Sequence, residues 1–211
     1  FRKQDTAGRK SLFMPVNRSV PDVAQKRKDW NGLISGFKAS DLVFLDESGC
    51  NTDMTRQYAY SLGGSRAVDS APLSKPKNTT ILSSIQLDGT LRYTTFSGGT
   101  TVERFKRYLE TDLLPHLNGN SVLIMDNMKS HHAKAVRNLL DSSGVRYIYL
   151  PPYSPDLNPI EKLWSKVKAF LRKFKARTLD ALPNAILCAF QTVSPSDCSG
   201  WFHSCGYSPY F

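Results

Sequence analysis

YIYLPPYSPDLNPIEKLWSKVKAFLRKF, residues 147–174, sets a short apolar run against a proline-rich turn and follows it with an amphipathic helix. Asn158 is a good N-cap and Pro159 suits the first helical position, because its missing N–H is one the helix could not use. Ile160, Leu163, Trp164, Val167, Phe170, Leu171 and Phe174 then recur at helical spacing and mark one apolar face. Glu161 falls in the first turn, beside that face. Residues 162–177 carry seven Lys/Arg and no acid, so the face turned to solvent is strongly basic. Upstream, Asp126 (SVLIMDN) and Asp46 (LVFLDES) each close a short apolar run that reads as a buried strand. Strands that end in Asp deliver carboxylates to a sheet edge, where open α/β sheets place their sites. A carboxylate at a helix start can join them there.

Composition narrows the field of partners. The 211-residue chain is long enough for one large domain with a substantial core. Lys and Arg number 28 against 18 Asp and Glu, for a net charge of +10, which favours a polyanion such as nucleic acid. A membrane partner is disfavoured, since no apolar stretch approaches the ~20 residues of a spanning helix. No secretory signal is present, and the start at Phe1 reads as a fragment or a trimmed chain. Cys50, Cys188, Cys198 and Cys205 show no CxxC spacing and read as reduced thiols of a cytoplasmic protein. Cys198, His203 and Cys205 cluster near the C-terminus, but a zinc site there lacks a fourth ligand.

Residues 1–20 are basic, poor in periodic apolar residues, and read as an arm or linker before a domain over 21–211. Val23, Trp30, Leu33, Ile34 and Phe37 fit a helix starting near Ser19 and Pro21. Strands are expected at Leu42–Asp46, Arg56–Ser61, Thr79–Leu87, Leu91–Phe96, Val122–Asp126 and Val145–Leu150. Asp88-Gly89 is a hairpin signal. Thr100 with Glu103 suggests a capping box for a helix bearing Val102, Phe105, Leu109 and Leu113. Gly144 would end a helix bearing Ala133, Val136, Leu139 and Leu140. Strands first and alternating helix and strand afterwards imply an α/β fold, a mixed sheet flanked by helices.

Three carboxylates from three elements suit two Mg²⁺ ions, which take oxygen ligands and otherwise keep water and substrate phosphate. Each residue also has a plainer reading. Asp46 can be a strand-end turn residue, with Glu47 or Asp53 the true ligand. Asp126-Asn127 can be ordinary turn chemistry. Glu161 can simply complement the helix dipole, a role worth ~0.3–1 kcal/mol. The set, with the basic helix behind it, outweighs these one-by-one readings. Lys162, Lys166, Lys168, Arg172 and Lys173 are the candidates for tracking a DNA backbone. Arg56, Lys75 and Lys77 are weaker ones, with solvation as the default. Trp164 reads as core; Tyr153 reads equally as a DNA contact or as loop packing. The stretch through Trp201-Phe202 and Tyr207–Phe211 reads as a cover for the core or a join to a partner subunit.

MDNMKSHH followed by LPPYSPDLNPIEKLWSKVK resembles the catalytic domain of DDE transposases of the mariner superfamily, in its bacterial insertion-sequence branch. The similarity runs from about Pro21 to Tyr207. Asp46, Asp126 and Glu161 match the family's metal-binding acids, and 34 residues lie between the last two, a spacing typical of the superfamily. The resemblance implies an RNase H-like fold. It implies Mg²⁺-dependent cleavage at transposon ends, with Mn²⁺ able to substitute, and strand transfer into target DNA at TA sites. A homodimer acting in the bacterial cytoplasm at the nucleoid follows on the same basis. His131 matches the motif's histidine and, with Glu47 and Asn127, ranks as auxiliary; His132 follows where the family commonly has a Lys. The family's N-terminal helix-turn-helix module is not visible in this chain. Two other readings are a domesticated or inactive DNA-binding derivative and a different RNase H-like endonuclease.

Overall fold

The computed structural model describes residues 21–55 and 78–207, with the single positions 63, 66 and 68 between them. The basic arm over 1–20, the strand expected at Arg56–Ser61, Lys75, Lys77 and residues 208–211 lie outside the described residues. Five strands form one sheet: β1 (Leu42–Cys50), β2 (Thr79–Gln86), β3 (Leu91–Ser97), β4 (Val122–Met125) and β5 (Arg146–Tyr149). Their order is β3-β2-β1-β4-β5. β1–β2 and β2–β3 are antiparallel, while β1–β4 and β4–β5 are parallel. β2 and β3 are joined by a tight hairpin turn, while the helix Lys134–Ser143 crosses over between the parallel strands β4 and β5.

Six α-helices accompany the sheet among the described residues: α1 (Pro21–Ile34), α2 (Val102–Tyr108), α3 (Lys134–Ser143), α4 (Ile160–Phe174), α5 (Ala181–Gln191) and α6 (Pro195–Ser204). Successive side chains of a strand point to opposite faces. Leu42 and Phe44 of β1, with Val122 and Ile124 of β4, therefore share a core with Trp30, Leu163, Val167, Ile186 and Phe202. Val43, Leu45, Leu123 and Met125 face the other way, onto Phe105, Tyr108, Val136 and Leu140. So α1, α4, α5 and α6 cover one face and α2 and α3 the other. Each such side chain, buried in full, contributes ~1.5–3 kcal/mol of transfer free energy.

Most expected elements are present, with shifts that have local causes. The cap of α2 is Thr101, not Thr100: its side chain accepts from Arg104 N, 3.3 Å away. After Tyr108 the helix widens into a π turn over Leu109–Leu113. The strand ending at Asp126 ends one residue earlier, so Asp126 stands just beyond β4. β1 runs past Asp46 to Cys50 because β2 pairs with it all the way to Cys50↔Thr79. The Asp88-Gly89 turn forms with Gly89 at φ 91°, and a Cβ there would meet Pro195 at 3.0 Å. Gly144 ends α3 at φ 71°, in the left-handed conformation glycine adopts freely. Leu33, expected on the apolar face of α1, is exposed.

The two C-terminal helices are absent from the sequence reading. Pro183 near the start of α5 and the small polar residues of α6 hide their periodicity. The signal was present in Ser194 and Asp197, which form a full capping box at the start of α6. Trp201 packs on the core while Phe202 and Tyr207 lie within it, so this stretch covers the core. Phe202 meets Phe44 edge-on at 5.3 Å, and the Tyr207 hydroxyl donates to Leu157 O at 2.6 Å. The cysteine cluster is likewise structural. Cys198 and Cys205 are buried, His203 is exposed, and Cys205 Sγ accepts from Lys162 Nζ at 3.4 Å.

Candidate active site

Parallel pairing of β1 with β4 puts Leu45 opposite Met125. The next residue on each strand is Asp46 and Asp126, so the two carboxylates stand side by side at one level of the sheet, on strands ~4.8 Å apart. Strand parity then decides which acid of the LDES segment faces the site. Asp46 lies in phase with Phe44, on the face covered by α4, and accepts from Trp164 Nε1 at 3.1 Å. Glu47 points the opposite way, its side chain 6% exposed. Glu161, in the first turn of α4, stands on the Asp46 side. Asp46, Asp126 and Glu161 line one cavity of about 460 Å³, together with Leu150, Pro151, Pro152, Tyr153 and Pro155.

The three acids differ in charge state. Burial pushes Asp46 up to about 7, against a backbone hydrogen bond, with the charges of Glu161 and Asp126 adding to the rise. Glu161 is raised by its desolvation in the cavity wall and by Asp126, while Lys168 opposes this. Burial also works to raise Asp126, but hydrogen bonds from His131 and the Met128 N–H outweigh it and hold the carboxyl below its ordinary value. Both bonds fall on Oδ1: His131 Nδ1 donates at 2.9 Å and Met128 N at 2.9 Å. Oδ2 is left for another partner.

His131 is fully buried and cannot reach a DNA phosphate from where it sits. Its ring stacks on Phe105 at 4.2 Å, and its Nε2 donates to Glu47 Oε1 at 3.1 Å. Burial alone would lower its pKa; the bonds to Asp126 and Glu47 overcome that and raise it to about 10. A charged imidazole thus links Glu47, on the far face of the sheet, to Asp126 at the site. Glu47 therefore supports Asp126 through His131 and leaves the cavity to Asp46. Asn127 closes the level below, its Nδ2 donating to Leu150 O across to the end of β5. Asp53, the other alternative, is not among the cavity residues.

The loop before α4 is held from outside the site. Arg27 of α1 donates from Nη1 and Nη2 to Asp156 Oδ1 and Oδ2 at 3.1 and 2.7 Å, and also to Ser154 Oγ. A bidentate guanidinium–carboxylate pair fixes geometry as well as charge. The helix itself begins at Ile160, with Pro159 before it already in helical conformation and no side chain capping the first turn. Asn158 is instead buried in the cavity wall with its Oδ1 unpartnered. The basic face of α4 is divided. Lys166 is paired with Asp197 at 2.6 Å and Lys162 lies on Cys205, both toward α6. Lys168 and Arg172 follow Glu161 by two and three turns, on the same stripe.

Residues 41–183, more than half of the chain, match the model of the DDE superfamily endonuclease family. The chain belongs to this family. Over 97 residues the DDE domain is 29% identical to the Transposable element Tc1 transposase of Caenorhabditis elegans, a match covering 44% of this chain and 36% of that protein. Its fold matches the pre-cleavage Mos1 transpososome with a TM-score of 0.76 at 19% identity, covering 94% of this chain and 64% of that one. The Mos1 mariner paired-end complex with Mg matches at 0.73 and 17%, covering 95% and 64%. The chain thus spans about a third of the first relative and just under two thirds of the second. Its mixed sheet flanked by helices is an RNase H-like fold.

Three interactions of the DDE site were not legible beforehand. Trp164 read as core, and it is buried, but its indole N–H also holds Asp46. Glu47 and His131 were singled out without the bond that joins them. Arg27 and Asp156 lie 129 residues apart, and no local pattern pairs them.

Proposed function

We propose that this chain is the catalytic part of a transposase, with Asp46, Asp126 and Glu161 as its metal-binding acids. The observation that carries this is the placing of three carboxylates, from β1, the end of β4 and the first turn of α4, around one cavity of a DDE-family chain.

The residues fit a pair of Mg²⁺ ions, with Mn²⁺ able to substitute. All donors are hard oxygens, and Asp46 and Glu161 are raised in part by their acidic neighbours, a repulsion that a cation relieves. Among the described residues no three His, Cys, Asp or Glu side chains lie together closely enough to hold a metal ion by themselves, so the ions would also need water and substrate phosphate as ligands, which Mg²⁺ commonly keeps. Bound there, the ions would supply an activated hydroxyl and stabilise the leaving oxygen of an in-line displacement. The chain's own part is to hold Asp126 ionised through His131, to orient Asp46 through Trp164, and to set Glu161 by the Arg27-braced loop.

On this reading the DNA is cut at element ends, and the freed 3′-hydroxyl is joined to a target, expected to be a TA site. Lys168, Arg172 and Lys173 offer the phosphate backbone a basic surface, with Lys162 and Lys166 contributing where α6 leaves them free. The bacterial insertion-sequence branch, a homodimer holding both ends, and action in the cytoplasm at the nucleoid belong to the same proposal. The test is Mg²⁺-dependent nicking of supercoiled DNA. Wild type should nick and yield strand-transfer products, while Asp126→Asn and Glu161→Gln should do neither yet still bind DNA. Nicking by Glu161→Gln at the wild-type rate would overturn the metal assignment. Nicking without strand transfer would leave an endonuclease, and DNA binding without nicking a non-catalytic derivative.

A further inference from the structure

Tyr153 stands out within the Pro151–Asn158 loop. Its φ of 54° is left-handed, a conformation that costs a bulky residue ~1–3 kcal/mol unless its surroundings impose it. The surroundings do impose it. Ser154 Oγ donates to Pro152 O at 3.0 Å across the residue, and Arg27 grips both Ser154 and Asp156. The neighbours Pro151, Ser154 and Asn158 are buried, yet Tyr153 is 49% exposed. Among the described residues it makes no ring contact of the kind that seats Phe105 on His131 or Tyr93 on Phe190. A ring serving to pack the loop would be covered by it.

The strained backbone instead sets the ring on the rim of the carboxylate cavity. Met128, another exposed apolar side chain, lines the same cavity two residues beyond Asp126. The cavity lining is therefore mixed, three acids together with prolines, Leu150 and Tyr153. Metal ions and a phosphate account for the acids only. At about 460 Å³ the open cleft has room for more than a bare ion. A nucleotide has the matching polarity, with an anionic phosphate on one side and a neutral, flat, π-faced base on the other.

We propose that Tyr153 is a stacking platform for a nucleobase drawn out of the duplex stack beside the phosphate held at Asp46, Asp126 and Glu161. The proposal rests on the transposase reading of that site. Stacking on an aromatic ring contributes ~1–3 kcal/mol per base and tolerates any base, since every base has a π-face.

The test couples the ring to the base. The phosphate cut by the wild-type chain is mapped on a linear duplex, and duplexes are made with an abasic site on either side of it. Wild type should show a KM raised about tenfold on one of the two abasic duplexes. Tyr153→Gly should show that rise already on the intact duplex and no further rise on the abasic one, while Tyr153→Phe and Tyr153→Trp behave as wild type. Glycine adopts positive φ freely, so Tyr153→Gly should also melt no lower than wild type. Equal abasic effects in wild type and Tyr153→Gly, or a lowered melting temperature in Tyr153→Gly with its KM unchanged, would overturn the stacking role and leave the transposase reading intact. Failure of wild type to cut at all would overturn that reading and this inference with it.

Discussion

Asp46 and Asp126 are neighbours on adjacent parallel strands, yet the fold treats them in opposite ways. Asp46 is buried among apolar residues, receives one neutral indole hydrogen bond, and stands near 7. Asp126 sits at the cavity, is bonded by a charged imidazole, and stands below the ordinary carboxylate range. One acid is thus ionised before any cation arrives, and the other gives up its proton most readily when a cation is there to replace it. The sheet sets this difference: Asp126 lies past the end of its strand, where His131 can reach it, while Asp46 lies within a strand under α4.

The comparison is broken most severely by neutralising either acid. Asp46→Asn and Asp126→Asn should each cut the nicking rate by ~10³-fold or more, as loss of several kcal/mol of charge stabilisation implies. Similar survival of both variants would show that the pair does not act together. His131→Gln comes next. It keeps hydrogen-bonding capacity but removes the charge, and should weaken Mn²⁺ affinity by ~10–100-fold, as loss of a group supporting a metal ligand does. Titration calorimetry reads this directly; unchanged affinity would show that Asp126 needs no such support.

Stability separates the two acids further. The raised Asp46 carboxyl stabilises the fold only while protonated, a contribution whole below about pH 4 and lost as pH climbs through about 7. Metal-free Asp46→Asn should therefore melt higher than wild type at pH 8, by roughly 3–8 °C, with the gain shrinking towards pH 5. Asp126, whose value is lowered, contributes in the other direction: its stabilisation is present above its ordinary pKa and is lost in acid. Asp126→Asn should accordingly melt lower than wild type at pH 8. The smallest expected effect distinguishes the two stripes of α4. Arg172→Ala should lessen the salt dependence of DNA binding by about one unit of slope, whereas Lys166→Ala should change it less, since Asp197 already engages that lysine. Equal changes would show that the Lys166–Asp197 pair opens for DNA.

Much of the site was legible because its parts are local. Apolar runs ending in Asp, and a helix with one acid in its first turn, announce themselves over five to ten residues at a time. What stayed hidden was what those residues touch. Glu47 and Asp46 are equivalent as letters, and only strand parity against a packed α4 gives the cavity to Asp46. His131 read only as auxiliary; Phe105 and Glu47 bury it behind the site, where it supports Asp126. The basic run of α4 read as one surface, and α6, itself unforeseen, takes Lys162 and Lys166 out of it.

The sequence by itself determined the mixed α/β sheet, the three carboxylates, the order in which the chain presents them, and the basic excess that suits DNA. These follow from period, caps and charge, which are properties of short windows. Only the tertiary structure decided that Asp46 would be raised to about 7 and Asp126 lowered, and that Arg27 would brace the loop holding Tyr153 in a left-handed turn. Those outcomes depend on desolvation and on partners up to 129 residues away, and such terms come into being only when the core closes.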